Sequence, residues 1–302
     1  MLARLQQLIT TGIATLAVLW AIASWRAGCV GCALLGVTLV VFGYAAVLAC
    51  EFAFLRFAYG EDPTPRPSVM QLLSAWGGEV VSAPTVFCWR QPFRSWLTPD
   101  QLPANAQGRR GVLLVHGFVC NRGLWNPWLT KLTGHQVPFI ALNLEPVFGS
   151  ISEYAPRIED AVQRLHHSTG LPPVVVAHSM GGLAVRRWWV DYVGSHAAHR
   201  VITIATPHQG TWLARFGFSR NSREMRQGSR WLQDLAIAEP PERYAHFTCF
   251  YGHCDNIVFP PRCATLPGAD NRHLGAVAHV HMASRSEPWQ ELQRQLGLVP
   301  TR

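Results

Sequence analysis

Charge is scarce in this chain. Asp, Glu, Lys and Arg make up 15% of its 302 residues, against 49% hydrophobic ones, which is apolar for a soluble protein. Lysine is almost missing, with Lys131 standing alone. The formal charge of +8 therefore rests on arginines, scattered singly or in pairs without a long basic run. No RNA- or DNA-binding signature accompanies them, which excludes nucleic acid as a partner. A mild attraction to anionic membrane lipid suits the balance better. Internal repeats and low-complexity tracts are lacking too, so the length points to one large domain plus an extension. Eight cysteines are too few for a disulfide framework in a chain this long. Cys29 and Cys32 have the spacing of a redox or zinc half-site, but no second pair of ligands accompanies them. They read as small residues packed in a membrane helix, and no metal or other cofactor is expected. No protein partner is legible.

The excess of apolar residues lies at the amino terminus. Leu5 to Trp25 carries no charge, and after a short turn Cys29 to Cys50 carries none either. Each run is about long enough to cross a bilayer, and Trp20 and Trp25 sit where interfacial aromatics belong. Residues 1–57 therefore read as an antiparallel two-span transmembrane anchor. The rival is a signal peptide cleaved after Ala21-Ile22-Ala23, but a second full-length apolar run follows at once. Arg4, Arg56 and Arg66 flank the terminal side against Arg26 in the turn, which puts the globular domain on the cytoplasmic side. Against this, Cys249, Cys254 and Cys263 are near enough in sequence to pair in an oxidising periplasm.

Residues 58–110 read as a linker and first strand region. Glu61–Pro67 is charged and proline-rich, Met70–Trp76 fits a short helix, and Val81–Trp89 reads as a strand. From Gly111 to the end, strand and helix patterns alternate: strands at Gly111–Val115, Pro138–Leu144, Val174–Val176, Arg200–Thr206, Phe247–Tyr251 and Leu274–Ala278, with helical spacing between them. Such alternation predicts an α/β fold, a parallel sheet with helices on both faces. Pro207–Tyr244 breaks the rhythm. Its apolar residues, among them Trp212, Phe216, Phe218, Trp231 and Leu232, suit a cap over residues 208–245 or ordinary core packing equally well.

The chain is organised around Val174-Val175-Val176-Ala177-His178-Ser179-Met180-Gly181-Gly182. A strand that turns sharply into a helix at a serine is a nucleophile elbow. Ala177 and Gly181 are the small neighbours that let strand and helix nearly touch. The blander reading is a serine capping a helix. A nucleophilic serine needs a base, the base an acid, and the oxyanion N–H donors. In a parallel sheet these gather at the carboxyl ends of strands. Asp255, just past Phe247–Tyr251, meets that rule, although such an Asp also suits a turn. Of the histidines beyond it, His273 enters the last strand and His279 leaves it, which selects His279, with His281 in reserve. The N–H groups of Met180 and Phe118 are the candidate oxyanion donors. His178 is expected to point away from the nucleophile.

The order oxyanion loop, Ser, Asp, His resembles the α/β-hydrolase superfamily, and within it bacterial triacylglycerol lipases and related membrane-anchored esterases. The likeness runs roughly from Gly111 to His279. Thr206-Pro207-His208-Gln209-Gly210-Thr211 looks like a stretch that borders the acyl cleft in that family. The resemblance thus implies His208 and Trp212, with His116 and Gly117 of the oxyanion loop, as substrate-binding residues. It also implies an α/β-hydrolase fold and a bacterial inner-membrane location. Ala177 in place of the usual glycine, and the lack of glycine just before His279, depart from the pattern without removing a reacting group.

Together these readings predict a membrane-anchored serine hydrolase acting on lipid or other carboxylic esters. An acyltransferase using the same residues and a non-catalytic membrane scaffold are the alternatives. Every candidate site residue lies beyond Gly111, so the anchor is expected to supply location rather than chemistry.

Overall fold

The computed structural model describes residues 1–192 and 198–298. Two long helices come first, α1 (Leu2–Arg26) and α2 (Val30–Phe57), and both are long and apolar enough to cross a membrane. Most of their apolar side chains face outward. A helix that is apolar all round and unburied has no partner for its surface in water. Trp20 Nε1 donates to the Cys32 carbonyl across the turn, at 2.8 Å. Cys29 and Cys32 are joined there in a disulfide, so they form a covalent clasp rather than the simple small-residue packing expected.

The segment Val81–Trp89 is helical, not a strand. Helix α3 (Val69–Pro84) starts at a capping box in which Ser68 and Gln71 bond each other's backbone, which closes two otherwise unpaired N–H groups. Pro84 has no N–H to give, and the chain widens into a π-helical turn over Thr85–Arg90. The β-branched residues there suggested a strand, and the cap and the close packing against later elements override that local preference.

Among the described residues the sheet has six parallel strands in the order β2-β1-β3-β4-β5-β6. They are β1 (Val112–Val115), β2 (Phe139–Ala141), β3 (Val174–His178), β4 (Arg200–Ile204), β5 (Phe247–Gly252) and β6 (Asp270–Leu274). Between them run α4 (Asn126–Gly134), α5 (Ala155–Thr169), α6 (Met180–Asp191), α7 (Arg220–Glu224) and α8 (Arg230–Ala238). The chain closes with α9 (His279–Met282) and α10 (Ser286–Gln295). Side chains alternate across the sheet. Leu113, Val115 and Val175 enter one core with α5 and α6, while Val112, Leu114 and Val176 enter the other with α4 and α10. The strand order reverses between β1 and β3, and the crevice outside their carboxyl ends is where such sheets bind ligands.

β6 ends at Leu274, four residues earlier than the expected Leu274–Ala278 strand. Its polar sequence, Asp-Asn-Arg-His-Leu, hides an edge strand that alternates between partial and full exposure, as edge strands do to avoid further pairing. Residues 208–245 divide between the two readings given above. Ala214, Met225, Leu232 and Leu235 are part of the core, whereas Phe216 and Phe218 are exposed.

One buried ion pair fixes this insert. Arg186 on α6 forks onto Glu239 through Nε at 3.0 and 3.1 Å and through a short Nη2 contact, and donates Nη1 to the His208 carbonyl at 2.8 Å. Both side chains are buried. Glu239→Ala strands the guanidinium without its partner, and we expect a loss of about 3–5 kcal/mol, read as a lowered unfolding midpoint of the detergent-solubilised chain.

Candidate active site

Ser179 sits in the turn between β3 and α6 with φ 54° and ψ −131°. A non-glycine residue there is strained by about 1–3 kcal/mol. Val119, Ala205 and Ala276 also have φ between 50° and 53°, and all four follow strands at the carboxyl edge. The turn is held open by small residues. A Cβ on Gly181 would lie 2.5 Å from the His116 carbonyl oxygen, and one on Gly117 would lie 2.7 Å from Ser179 Cβ. Both obstacles belong to the backbone or its first side-chain atom, so neither can swing aside.

Ser179 Oγ is 3.0 Å from His279 Nε2, and His279 Nδ1 is 3.0 Å from both Asp255 oxygens. All three residues are buried to 7% exposure or less. Asp255 Oδ1 also accepts the N–H groups of Ile257 and Val258, at 2.9 and 2.8 Å. The turn-capping and imidazole-facing readings of Asp255 are therefore both true, and the first fixes the carboxylate for the second. Burial by itself would lower the pKa of His279. The charge and hydrogen bond of Asp255 outweigh it, Glu79 and Glu51 add to them, and the result lies above the ordinary 6.5.

Three side chains that sequence reasoning missed position this imidazole. Asn256 Oδ1 accepts the His279 backbone N–H at 3.1 Å, and Asn256 Nδ2 donates to Glu51 of α2 at 2.6 Å. Glu79 of α3 accepts the N–H groups of Val280 and His281, both at 3.0 Å. A carboxylate at that end of α9 satisfies donors a helix start leaves unpaired. Burial raises the Glu79 pKa, opposed by these two bonds. A lone acidic residue in each of two apolar helices was the available signal. Through Glu51, α2 is thus bonded to a residue of the site, a contact that the sequence reading did not foresee.

His178 packs against His279. Its ring centroid is 4.8 Å from that of His279, and its Nε2 is 3.1 Å from the His279 carbonyl. Burial first, then the neighbouring His279, lowers its pKa to about 3, so it stays neutral and donates to that carbonyl.

His116 accepts the Leu144 N–H on Nε2 at 3.0 Å, which leaves Nδ1–H to donate to the Gly117 carbonyl at 2.9 Å. Burial lowers its pKa to about 4 and keeps it neutral. Because a trans peptide is planar, holding the Gly117 C=O toward His116 turns the Phe118 N–H the opposite way. Among the described residues, neither the Phe118 nor the Met180 N–H has an acceptor.

A family model of the alpha/beta hydrolases matches residues 112–299. The chain belongs to the alpha/beta hydrolase family. No curated protein matches it. The mature form of Bacillus licheniformis lipase BlEst2 superposes with TM-score 0.56 at 17% identity, covering 66% of this chain and 95% of that one. Aspergillus fumigatus lipase B gives TM-score 0.52 at 20% identity, covering 61% of this chain and 52% of that one. Both likenesses are of fold.

Within this alpha/beta hydrolase, the expected substrate-binding residues separate. Gly117 touches the nucleophile position, as above. His116 is committed through both ring nitrogens to holding its own loop and has none left for a ligand. His208 is buried, with Nε2 at 3.1 Å from Thr203 Oγ1 and its ring edge-on to Phe247. It packs between sheet and α6 rather than in a cleft. Trp212 joins an aromatic group with Phe216, Phe259 and Phe54 of α2, at 5.4–5.8 Å between centroids. It seals the seam between α2 and the hydrolase domain. Among the described residues, no three His, Cys, Asp or Glu side chains gather as a metal site.

Proposed function

We propose that the chain is a membrane-anchored serine hydrolase that cleaves carboxylic esters through an acyl-serine intermediate. The observation that carries this is the unbroken 3.0 Å run from Ser179 Oγ through His279 to Asp255. Ser179 Oγ attacks the ester carbonyl while His279 Nε2 takes its proton. Asp255 holds the imidazole with its proton on Nδ1 and stabilises the imidazolium. The Phe118 and Met180 N–H groups receive the oxyanion, each worth about 3 kcal/mol in the transition state. His279 then returns the proton to the leaving alcohol, and activates the water that splits the acyl-serine.

Two apolar helices at the amino terminus support the anchor. Disulfides belong to oxidising compartments. A disulfide at the hairpin turn and free thiols at Cys249, Cys254 and Cys263 fit a turn outside a bacterial inner membrane and a catalytic domain on the cytoplasmic side. That agrees with the arginine bias.

His279 must be neutral to accept a proton, and its pKa is raised. Turnover of a p-nitrophenyl ester by the solubilised chain should therefore fall as pH drops through a value above 6.5. Asp255, Glu79, Glu51 and His178 face this ring, and the first three favour its protonated form. An acid limb well below 6.5, or no ester turnover at any pH, would count against the proposal.

A further inference from the structure

The two hairpin helices do not reach equally far before they meet the catalytic domain. On α1 the docking contacts are Gln6 to Gln91, at 2.6 Å, and Gln7 to the Pro92 carbonyl. That leaves residues 8–26, about 28 Å of helix at 1.5 Å per residue. On α2 the first hydrogen bonds to the domain already come at Tyr44, to the Val80 carbonyl at 2.6 Å, and at Ala45, from Trp76 Nε1 at 2.9 Å. Only residues 30–43 precede them, about 21 Å. A hydrocarbon core of about 30 Å therefore extends past the depth at which α3 packs on α2.

The outward side of α3 suits that depth. Between Pro67 and Trp89 the single charged residue is Glu79, and it is 1% exposed, turned inward onto α9. Met70, Leu73 and Val81 are exposed at helical spacing, and Cys88 continues the same face. Beyond them come exposed Trp89, Phe93 and Trp96, with the Arg94 guanidinium 5.1 Å from the Trp89 ring. Aromatics with a neighbouring arginine are the side chains that settle at headgroup level.

We propose that α3 and the helical segment after it are a third bilayer-contacting element, half-sunk beside the hairpin, and that the ester substrate is an acyl lipid drawn from that bilayer. This rests on the anchored-hydrolase reading. The surface is continuous with the hairpin, which names its occupant. The inner side of α3 is in contact with the site. A Cβ on Gly78 would collide with His281 Nδ1, and Glu79 accepts the N–H groups of Val280 and His281, the two residues after His279. The helix separating lipid from the imidazole element is thus one helix thick, about 10 Å.

The test uses the full chain in phosphatidylcholine–phosphatidylglycerol nanodiscs. With Cys50→Ser, a bimane on Cys88 should be quenched by doxyl lipid and shielded from iodide. The variant Leu73→Asp/Val81→Asp should lose at least about 10-fold in hydrolysis of nanodisc phospholipid while turnover of soluble p-nitrophenyl butyrate stays within about two-fold. Iodide quenching without doxyl quenching would overturn the inference, as would a double variant equally active on both substrates. Release of the wild-type chain from membranes by carbonate would overturn the anchor and this inference together. A wild type inert to both esters would strike the hydrolase reading and the lipid substrate, while the quenching still decides the surface.

Discussion

Replacing Ser179 with alanine should abolish ester turnover, by about 10⁴–10⁶-fold in kcat, with little change in the unfolding midpoint. The hydroxyl is the only atom lost. Its one described partner is His279 Nε2, and no packed carbon leaves the core. The serine backbone keeps its strained φ of 54°, which alanine tolerates no worse. His279→Ala should be nearly as damaging, and the double variant no worse than either single one, because groups that act as one unit are not additive. Steady-state hydrolysis of p-nitrophenyl esters, with thermal unfolding as the fold control, checks both. More than about one per cent of wild-type turnover in Ser179→Ala would assign the chemistry to another residue.

The second large effect concerns the two amino-terminal helices. Deleting residues 1–57 should cost about 10²-fold in turnover, the scale of an ångström-level misplacement of a reacting group. Phe52 and Leu55 are buried against Ala75, Cys254, Phe259 and Ala278, each worth about 1.5–3 kcal/mol when sheltered from water. Glu51 holds Asn256, and Asn256 holds the backbone of His279. Without α2 the loop carrying Asp255 and the start of α9 lose both their cover and their tether. Asn256→Ala in the full chain should move turnover in the same direction without removing any apolar cover. A deletion variant with wild-type kcat would show that the hairpin's bonds to the site do not position it.

The same segment shows where sequence was a sufficient guide and where it was not. The parallel sheet was legible because residues 112–115 and 174–177 are apolar runs buried on both faces, and their helices carry clean periodicity. Ser179, Asp255 and His279 were legible as candidates because in such a sheet reacting groups are sought just after strands, and few residues qualify. α3 was misread because Val80, Val81, Thr85 and Val86 prefer extended backbone locally. The Ser68–Gln71 cap, and contact with α2 and α9, decide its conformation, and those contacts are non-local. β6 was displaced because its burial is one-sided and its residues polar. The contact of His178 with His279 was not legible because a side chain's direction at the end of a strand depends on the strained turn that follows. Glu51, Glu79 and Asn256 escaped notice because their partners lie 205, 201 and 23 residues away, a separation no spacing rule covers.

The central claim is that Ser179 is a nucleophile activated by His279. Its most direct measurement is labelling of the full-length chain in nanodiscs with a fluorophosphonate, followed by mass spectrometry of the modified peptide. The expected adduct is on Ser179, formed quickly in the wild type, slowed by about 10²-fold or more in His279→Ala, and missing in Ser179→Ala. An unlabelled wild type, or an adduct on any other serine, would contradict it.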